Sequence, residues 1–280
     1  MDASGKLRRA CENDEPSDAH KGGEELHYVL SDIHGNSAAF DTILSMIKLQ
    51  PDDRLYILGD VVDRGPDGIE LLQRIRQMEN CVLLLGNHEY MMINAMRNRN
   101  DDWAMRVWRK NGCQSTKASF SALDAEVQED LLQYLEGLPL QTSVTVQSDA
   151  GDKEYILVHA APIELYESVG RMFYIDVEEY QVWHRLPMKK AEELEGKTLI
   201  FGHTPTDNVQ FSEWPKMRIA HGDGVIDIDC GCAYPQYGGQ LGCLRLEDGM
   251  EFYSEEGIVT RTEAAAWKVE QMEQQRRSQS

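Results

Sequence analysis

The stretch Arg54-Leu55-Tyr56-Ile57-Leu58-Gly59-Asp60-Val61-Val62-Asp63-Arg64-Gly65 decides the fold. It begins as a short apolar run suited to a strand and stops at Gly59, where the backbone can turn sharply. Two carboxylates and an arginine follow at once, so this strand ends in reactive side chains. Downstream, Ile69, Leu72 and Ile75 recur at helical spacing, and residues 81–85 form another apolar run. Upstream, residues 26–30 are strand-like, and Phe40, Leu44 and Ile47 share one helical face within 37–49. Strand, helix, strand, helix, strand predicts βαβ units with parallel strands and right-handed crossovers.

Further along, residues 88–136 read as helical, with Asp101 and Asp124 as N-caps, and are expected to form a cap over the sheet edge. After Pro139, strands are predicted over 140–146, 155–159, 198–202, 218–221, 225–229, 241–246 and 250–253, together making a second sheet. Residues 1–24 are polar and lack apolar periodicity, as in a disordered extension. A single domain is expected over 25–262. A C-terminal helix with Ala266, Val269 and Met272 spaced three apart, then a polar tail, fills 263–280.

The chain has 280 residues, long enough for a substantial core. Lys+Arg of 28 against Asp+Glu of 48 gives a formal charge of -20, which disfavours nucleic acid and anionic membranes as partners. Any anionic substrate then needs a locally positive site. The cysteines (Cys11, Cys81, Cys113, Cys230, Cys232, Cys243) are scattered, which suits a reducing compartment better than a disulfide framework. The N-terminal stretch lacks a signal-like apolar run and no apolar stretch could span a bilayer, so a cytoplasmic location is expected.

Ligands of open α/β sheets gather at the carboxyl ends of the strands. Here those ends read Ser31-Asp32-Ile33-His34-Gly35-Asn36, Gly59-Asp60-Val61-Val62-Asp63-Arg64-Gly65 and Gly86-Asn87-His88-Glu89. Two later strands run into His159 and His203. Mixed carboxylate, amide and imidazole ligands suit divalent first-row metals, and two ions about 3.5–4 Å apart can share one carboxylate. Asp60, on the middle loop, is the natural bridge.

Asp-x-His-Gly, Gly-Asp-x-Val-Asp-Arg-Gly, Gly-Asn-His-Glu and the two later histidines, in that order, resemble the signature of the calcineurin-like metallophosphoesterases. In particular the chain resembles the phosphoprotein phosphatase branch and its small bacterial and phage serine/threonine phosphatases, over roughly 26–253. The resemblance implies an α/β fold: a four-layer α/β/β/α sandwich of two mixed sheets. It implies two divalent metal ions, manganese leading the candidates ahead of iron, zinc or cobalt. Asp32, His34 and Asp60 would bind the first; Asp60, Asn87, His159 and His203 the second. A metal-bound hydroxide would attack phosphorus, and His88, oriented by Asp63, would protonate the leaving oxygen. Arg64 and Asn87 would hold phosphate oxygens. Val182-Trp183-His184-Arg185 resembles the family's Trp-x-Arg segment, which makes Arg185 the second phosphate-binding arginine. Two metals and two arginines would make a positive pit in a negative surface.

The pattern departs at Ser31, where glycine is usual, and at Ala160-Ala161, where His159 is usually followed by two glycines. Ile228-Asp229-Cys230-Gly231-Cys232 resembles Ile-Asp-Thr-Gly-Ala with cysteines substituted. Cys230 and Cys232 read as buried packing, Trp103 and Trp108 as core, and His20, His27, His184 and His221 as solvated or packed. Glu89 either orients a neighbour in the site or simply begins the next helix.

The expected function is metal-dependent phosphomonoester hydrolysis, on phosphorylated proteins first. Symmetrical cleavage of dinucleoside polyphosphates such as diadenosine tetraphosphate comes second, because such enzymes usually carry Gln where His34 stands. A non-catalytic metal-binding scaffold comes last, since His88, Asp63 and Arg64 are all present. The substrate partner is thus a phosphoprotein or a small phosphoester.

Overall fold

A computed structural model describes residues 25–98, 102–147, 151–174, 176–189, 192–206, 217–260 and 263. The elements run β1 (His27–Leu30), α1 (Ser37–Ile47), β2 (Arg54–Ile57), α2 (Gly68–Arg76), β3 (Cys81–Leu83) and α3 (Asn87–Arg97). Helices α4 (Asp102–Lys110), α5 (Gln114–Ser121) and α6 (Ala125–Glu136) follow, then β4 (Gln141–Val146), β5 (Lys153–Val158) and α7 (Val177–Trp183). The rest is β6 (Thr198–Phe201), β7 (Ala220–His221), β8 (Val225–Asp227), β9 (Gly242–Arg245), β10 (Glu251–Tyr253) and β11 (Gly257–Val259).

Two mixed sheets form, in the orders β11-β10-β9-β1-β2-β3 and β4-β5-β6-β8-β7. Strand alternation explains how they stack, because successive side chains point to opposite faces. In the first sheet, Leu30, Leu55 and Ile57 pack with Phe40 and Ile43 of α1 and Ile69 and Leu72 of α2. Their neighbours Val29, Tyr56 and Leu58 face the other way, onto Tyr155, Leu157 and Ile200 of the second sheet. There Ile156, Val158 and Phe201 turn outward again, onto Tyr180 of α7. Helices, sheet, sheet, helix is the expected four-layer sandwich.

The second sheet is smaller than expected. Residues 241–246 and 250–253 do form strands, but β9 joins the first sheet, antiparallel to β1 with Leu30 opposite Cys243, and β10 and β11 extend that edge. An alternating pattern specifies a half-buried strand and not its neighbour, so this pairing is not legible locally. Trp103 is a second correction: it is 69 % exposed instead of core, whereas Trp108 is fully buried. Asp124 does precede α6, but its side chain makes no capping hydrogen bond. Residues 1–24, Asp101, and 264–280 lie outside the described residues, and so do the expectations placed on them.

Register aligns the reactive loops. Leu30 pairs with Ile57 and Ile57 with Leu83 in parallel, so β1, β2 and β3 release their chains at one level. Parallel pairing of β5 with β6 does the same for the loops carrying His159 and His203. Among the described residues no helix is long and apolar enough to cross a membrane.

Candidate metal centre

Asp32, His34, Asp60, Asn87, His159 and His203, dispersed over five loops, are all buried at the joint edge of the two sheets. The backbone there is unusual. Asp32, His34, Asp60, Asp63, Arg64 and His203 all have φ between 49° and 70°. This left-handed conformation costs a non-glycine residue about 1–3 kcal/mol and persists only where surroundings impose it. Clustering of such strain marks the loops as shaped for a site.

Glu89 supplies one of the constraints. Fully buried in the first turn of α3, its carboxylate accepts from the backbone N–H groups of Asp60 (2.8 Å), Val61 (2.8 Å), Val62 (3.1 Å) and Gly86 (3.2 Å). Both readings of Glu89 are therefore met: it begins a helix and it orients the Asp60 loop. Glu89→Ala would leave these donors buried and unpaired, each at a cost of about 1–3 kcal/mol. Removing an otherwise costly buried carboxylate offsets part of that, so a net loss of about 3–5 kcal/mol is expected, read from denaturant midpoints. Gly86 is needed for a separate reason: a Cβ there would stand 2.3 Å from Asp60 Oδ1.

Asp60 sits at the N-terminus of α3, where Oδ1 accepts the His88 N–H at 2.9 Å, one of the donors a helix leaves unpaired. Its two oxygens face different partners. Oδ2 is 3.7 Å from His34 Nε2, and Oδ1 is 3.5 Å from His159 Nε2. The ligand atoms of His34, Asp60 and His88 lie within 4.8 Å of one another, as do those of Asp60, His159 and His203.

The hydrogen bonds test whether cations fit. His34 Nδ1 meets the Val62 carbonyl at 3.1 Å and His159 Nδ1 the Leu58 carbonyl at 2.8 Å. A carbonyl only accepts, so both rings donate from Nδ1 and turn a lone pair inward at Nε2. His34 Nε2 then looks at Asp32 Oδ1 (3.8 Å) as well as Asp60 Oδ2. His159 Nε2 looks at Asn87 Oδ1 at 2.9 Å, and His203 Nδ1 approaches the same oxygen at 2.9 Å. Electron-rich atoms converging in a buried place are relieved by a cation. Burial pushes His34, His159 and His203 down, which keeps the imidazoles in the neutral, ligating form. It pushes Asp60 up, with Asp32 adding to it, which a cation would reverse. The donor set fits divalent metal ions.

His88 is arranged differently. Its Nδ1 stands 2.7 Å from Asp63 Oδ2 and its Nε2 3.2 Å from the Arg64 guanidinium. A guanidinium so close to Nε2 is a poor neighbour for a metal. Burial pushes His88 well below its usual value, so at rest it is neutral, donating to Asp63 and accepting from Arg64. The Asp63 carboxyl is pushed up to about 7 by burial.

The two arginines stand at the exposed rim. Arg64 is fixed by its backbone N–H to Gly112 (2.9 Å) and by Tyr234, whose ring centre is 5.2 Å from the guanidinium carbon. Arg185 donates to Thr204 Oγ1 at 3.2 Å, next to His203, and so reaches the same pit. Tyr234 is not marked in the sequence, because nothing distinguishes one tyrosine of a Pro/Gly loop from another. Cys230 and Cys232 are buried and free, as packing requires, and Cys232 accepts from Asn36 at 3.5 Å. His27 and His221 pair with Glu247 and Glu251, and His184 packs among aromatic rings. His20 lies outside the described residues.

Strand-end loops that converge carboxylates, imidazoles and an amide on places for divalent ions, below two arginines, define a metallophosphoesterase. The calcineurin-like phosphoesterase family profile matches residues 28–229, and the chain belongs to that family. Among its curated relatives, a "Bis(5'-nucleosyl)-tetraphosphatase, symmetrical" of Erwinia tasmaniensis is 32 % identical over 136 residues, 48 % of this chain and 43 % of the relative. One of the same name from Chromohalobacter salexigens is 25 % identical over 215 residues, 72 % of this chain and 70 % of the relative. The chain thus spans less than half of the first of these. A solved cold-active protein tyrosine phosphatase shares the fold, with a TM-score of 0.54 and 17 % identity over 85 % of this chain and 79 % of that one.

Proposed function

We propose that the protein cleaves a bis(5'-nucleosyl) tetraphosphate symmetrically, at its central anhydride, releasing two nucleoside diphosphates. The observation that carries this is the match to the Erwinia and Chromohalobacter tetraphosphatases, and it reverses the order expected from the motifs, which put phosphoproteins first. Phosphoprotein hydrolysis stays as the second reading, favoured by His34 where tetraphosphatases usually carry Gln.

Asp32, His34 and Asp60 would hold one divalent ion and Asp60, Asn87, His159 and His203 the other, with Asp60 between them. Bound there, such ions supply Lewis acidity and lower the pKa of water. The rest is the work of the chain. Arg64 and Arg185, both exposed at the rim, grip phosphoryl oxygens and offset the charge of -20 that would repel a polyanion. His88 takes a proton from solvent water at Nε2, where the Asp63 carboxylate on its Nδ1 stabilises the imidazolium, and passes it to the leaving oxygen.

Steady-state assays with added Mn²⁺ on diadenosine tetraphosphate, phosphopeptides and p-nitrophenyl phosphate test the choice. The expected result is turnover of the tetraphosphate to ADP alone, at a kcat/KM above that for phosphopeptides. AMP with ATP as products, or preference for the phosphopeptide, would reject symmetrical cleavage in favour of another phosphoesterase activity.

A further inference from the structure

The turn between α4 and α5, with the first turn of α5, grips three consecutive residues of the Asp60 loop. The Asp63 N–H donates to Thr116 Oγ1 (2.8 Å), the Arg64 N–H to the Gly112 carbonyl (2.9 Å), and Ser115 Oγ to the Gly65 carbonyl (2.5 Å). One further bond reaches a side chain. Trp108 Nε1 donates to Asp63 Oδ2 at 2.7 Å, and this is the same oxygen that His88 Nδ1 approaches at 2.7 Å. Trp108, Thr116, Asp63 and His88 are all fully buried. The other oxygen, Asp63 Oδ1, is buried with no partner among the described residues.

A buried indole N–H needs some acceptor, and a backbone carbonyl would satisfy it at little cost. Here it meets a carboxylate in a left-handed residue, φ 70°, which does not hold that conformation unaided. A carboxylate bonded only to His88 could swing with the ring; one tied to a rigid indole cannot. We propose that Trp108 and Thr116 are positioning residues, through which the helical cap holds Asp63 and so aims His88 Nε2 into the pit. This rests on the reading of His88 as proton donor and not on which phosphoester is the natural substrate.

The test uses the Mn²⁺-loaded full chain with phenyl phosphate and p-nitrophenyl phosphate. Phenolate has a conjugate acid with a pKa of about 10, like tyrosine, and needs the proton; p-nitrophenolate is a far weaker base. Trp108→Phe removes the N–H while keeping a ring, and Thr116→Val removes the hydroxyl while Thr116→Ser keeps it. Misplacing a donor by about 1 Å can cost up to about 10²-fold. Trp108→Phe and Thr116→Val are therefore expected to lose about 10- to 100-fold in kcat on phenyl phosphate. On p-nitrophenyl phosphate the loss is expected to be at least several-fold smaller, and Thr116→Ser should restore the phenyl phosphate rate. In a His88→Asn background neither substitution costs anything further, because groups acting as one unit are not additive. In metal-free protein, the Trp108 indole proton should resonate downfield of the other tryptophans, and Asp63→Ala should bring it back. Equal losses on both substrates, or losses that add to that of His88→Asn, would reduce Trp108 and Thr116 to ordinary core residues. Should Trp108→Phe fail to fold, the Thr116 pair decides alone. A His88→Asn variant with full activity would instead remove the proton-donor reading, and this proposal with it.

Discussion

His88→Asn is expected to keep its metals yet lose about 10²–10⁴ in kcat on phenyl phosphate, the range for deleting a positioned general acid. The His88 ring touches Asp63 and Arg64 through its two nitrogens, so removing it takes no ligand from the proposed ions. The amide is smaller than imidazole and cannot carry a proton to a leaving oxygen. KM should change little, because the arginines proposed to grip phosphate are untouched. Metal content by elemental analysis beside kcat checks both halves. Unchanged kcat would remove His88 from proton transfer; lost metal would make it a ligand, as its distance of 3.9 Å from Asp60 Oδ2 allows.

Asp60→Asn acts at the centre itself. Removing an outer hydrogen-bond partner of a metal site costs about 10–100-fold in metal affinity, and Asp60 would be a direct and shared ligand, so a larger loss is expected. The substitution keeps shape and one oxygen but deletes the charge facing both His34 and His159. Activity falls with metal content, and excess Mn²⁺ restores it only in part. Full occupancy with normal turnover would show that neither ion depends on Asp60.

How far this site can be read from the chain depends on the range of each contact. Asp32 with His34, Asp60 with Asp63 and Arg64, and Asn87 with His88 are contiguous blocks, and β1, β2 and β3 pair in register just before them. Local sequence therefore delivers their chemistry. Trp108 is another matter: it meets Asp63 from 45 residues away, and its apolar bulk hides a donor. Read as core together with Trp103, it belongs to a different face of α4, because five residues along a helix turn the side chain by about 140°. Glu89 was ambiguous for a related reason, since four backbone donors leave no trace in side-chain pattern. Strands β9 and β10 alternate like any half-buried strand, and only the tertiary fold assigns them to the sheet of β1 rather than to the second sheet. The substrate is the least legible of all, because the residues of the proposed site are assigned to metal ions, a proton or the phosphate, and none to what the phosphate carries.

The most direct measurement is the metal stoichiometry of the wild-type chain by elemental analysis, after loading with Mn²⁺ and removal of excess. Two ions per chain, falling below one in Asp60→Asn, is the result the geometry predicts. One ion or none in the wild type, with phosphoester turnover intact, would contradict a dinuclear centre built on Asp60.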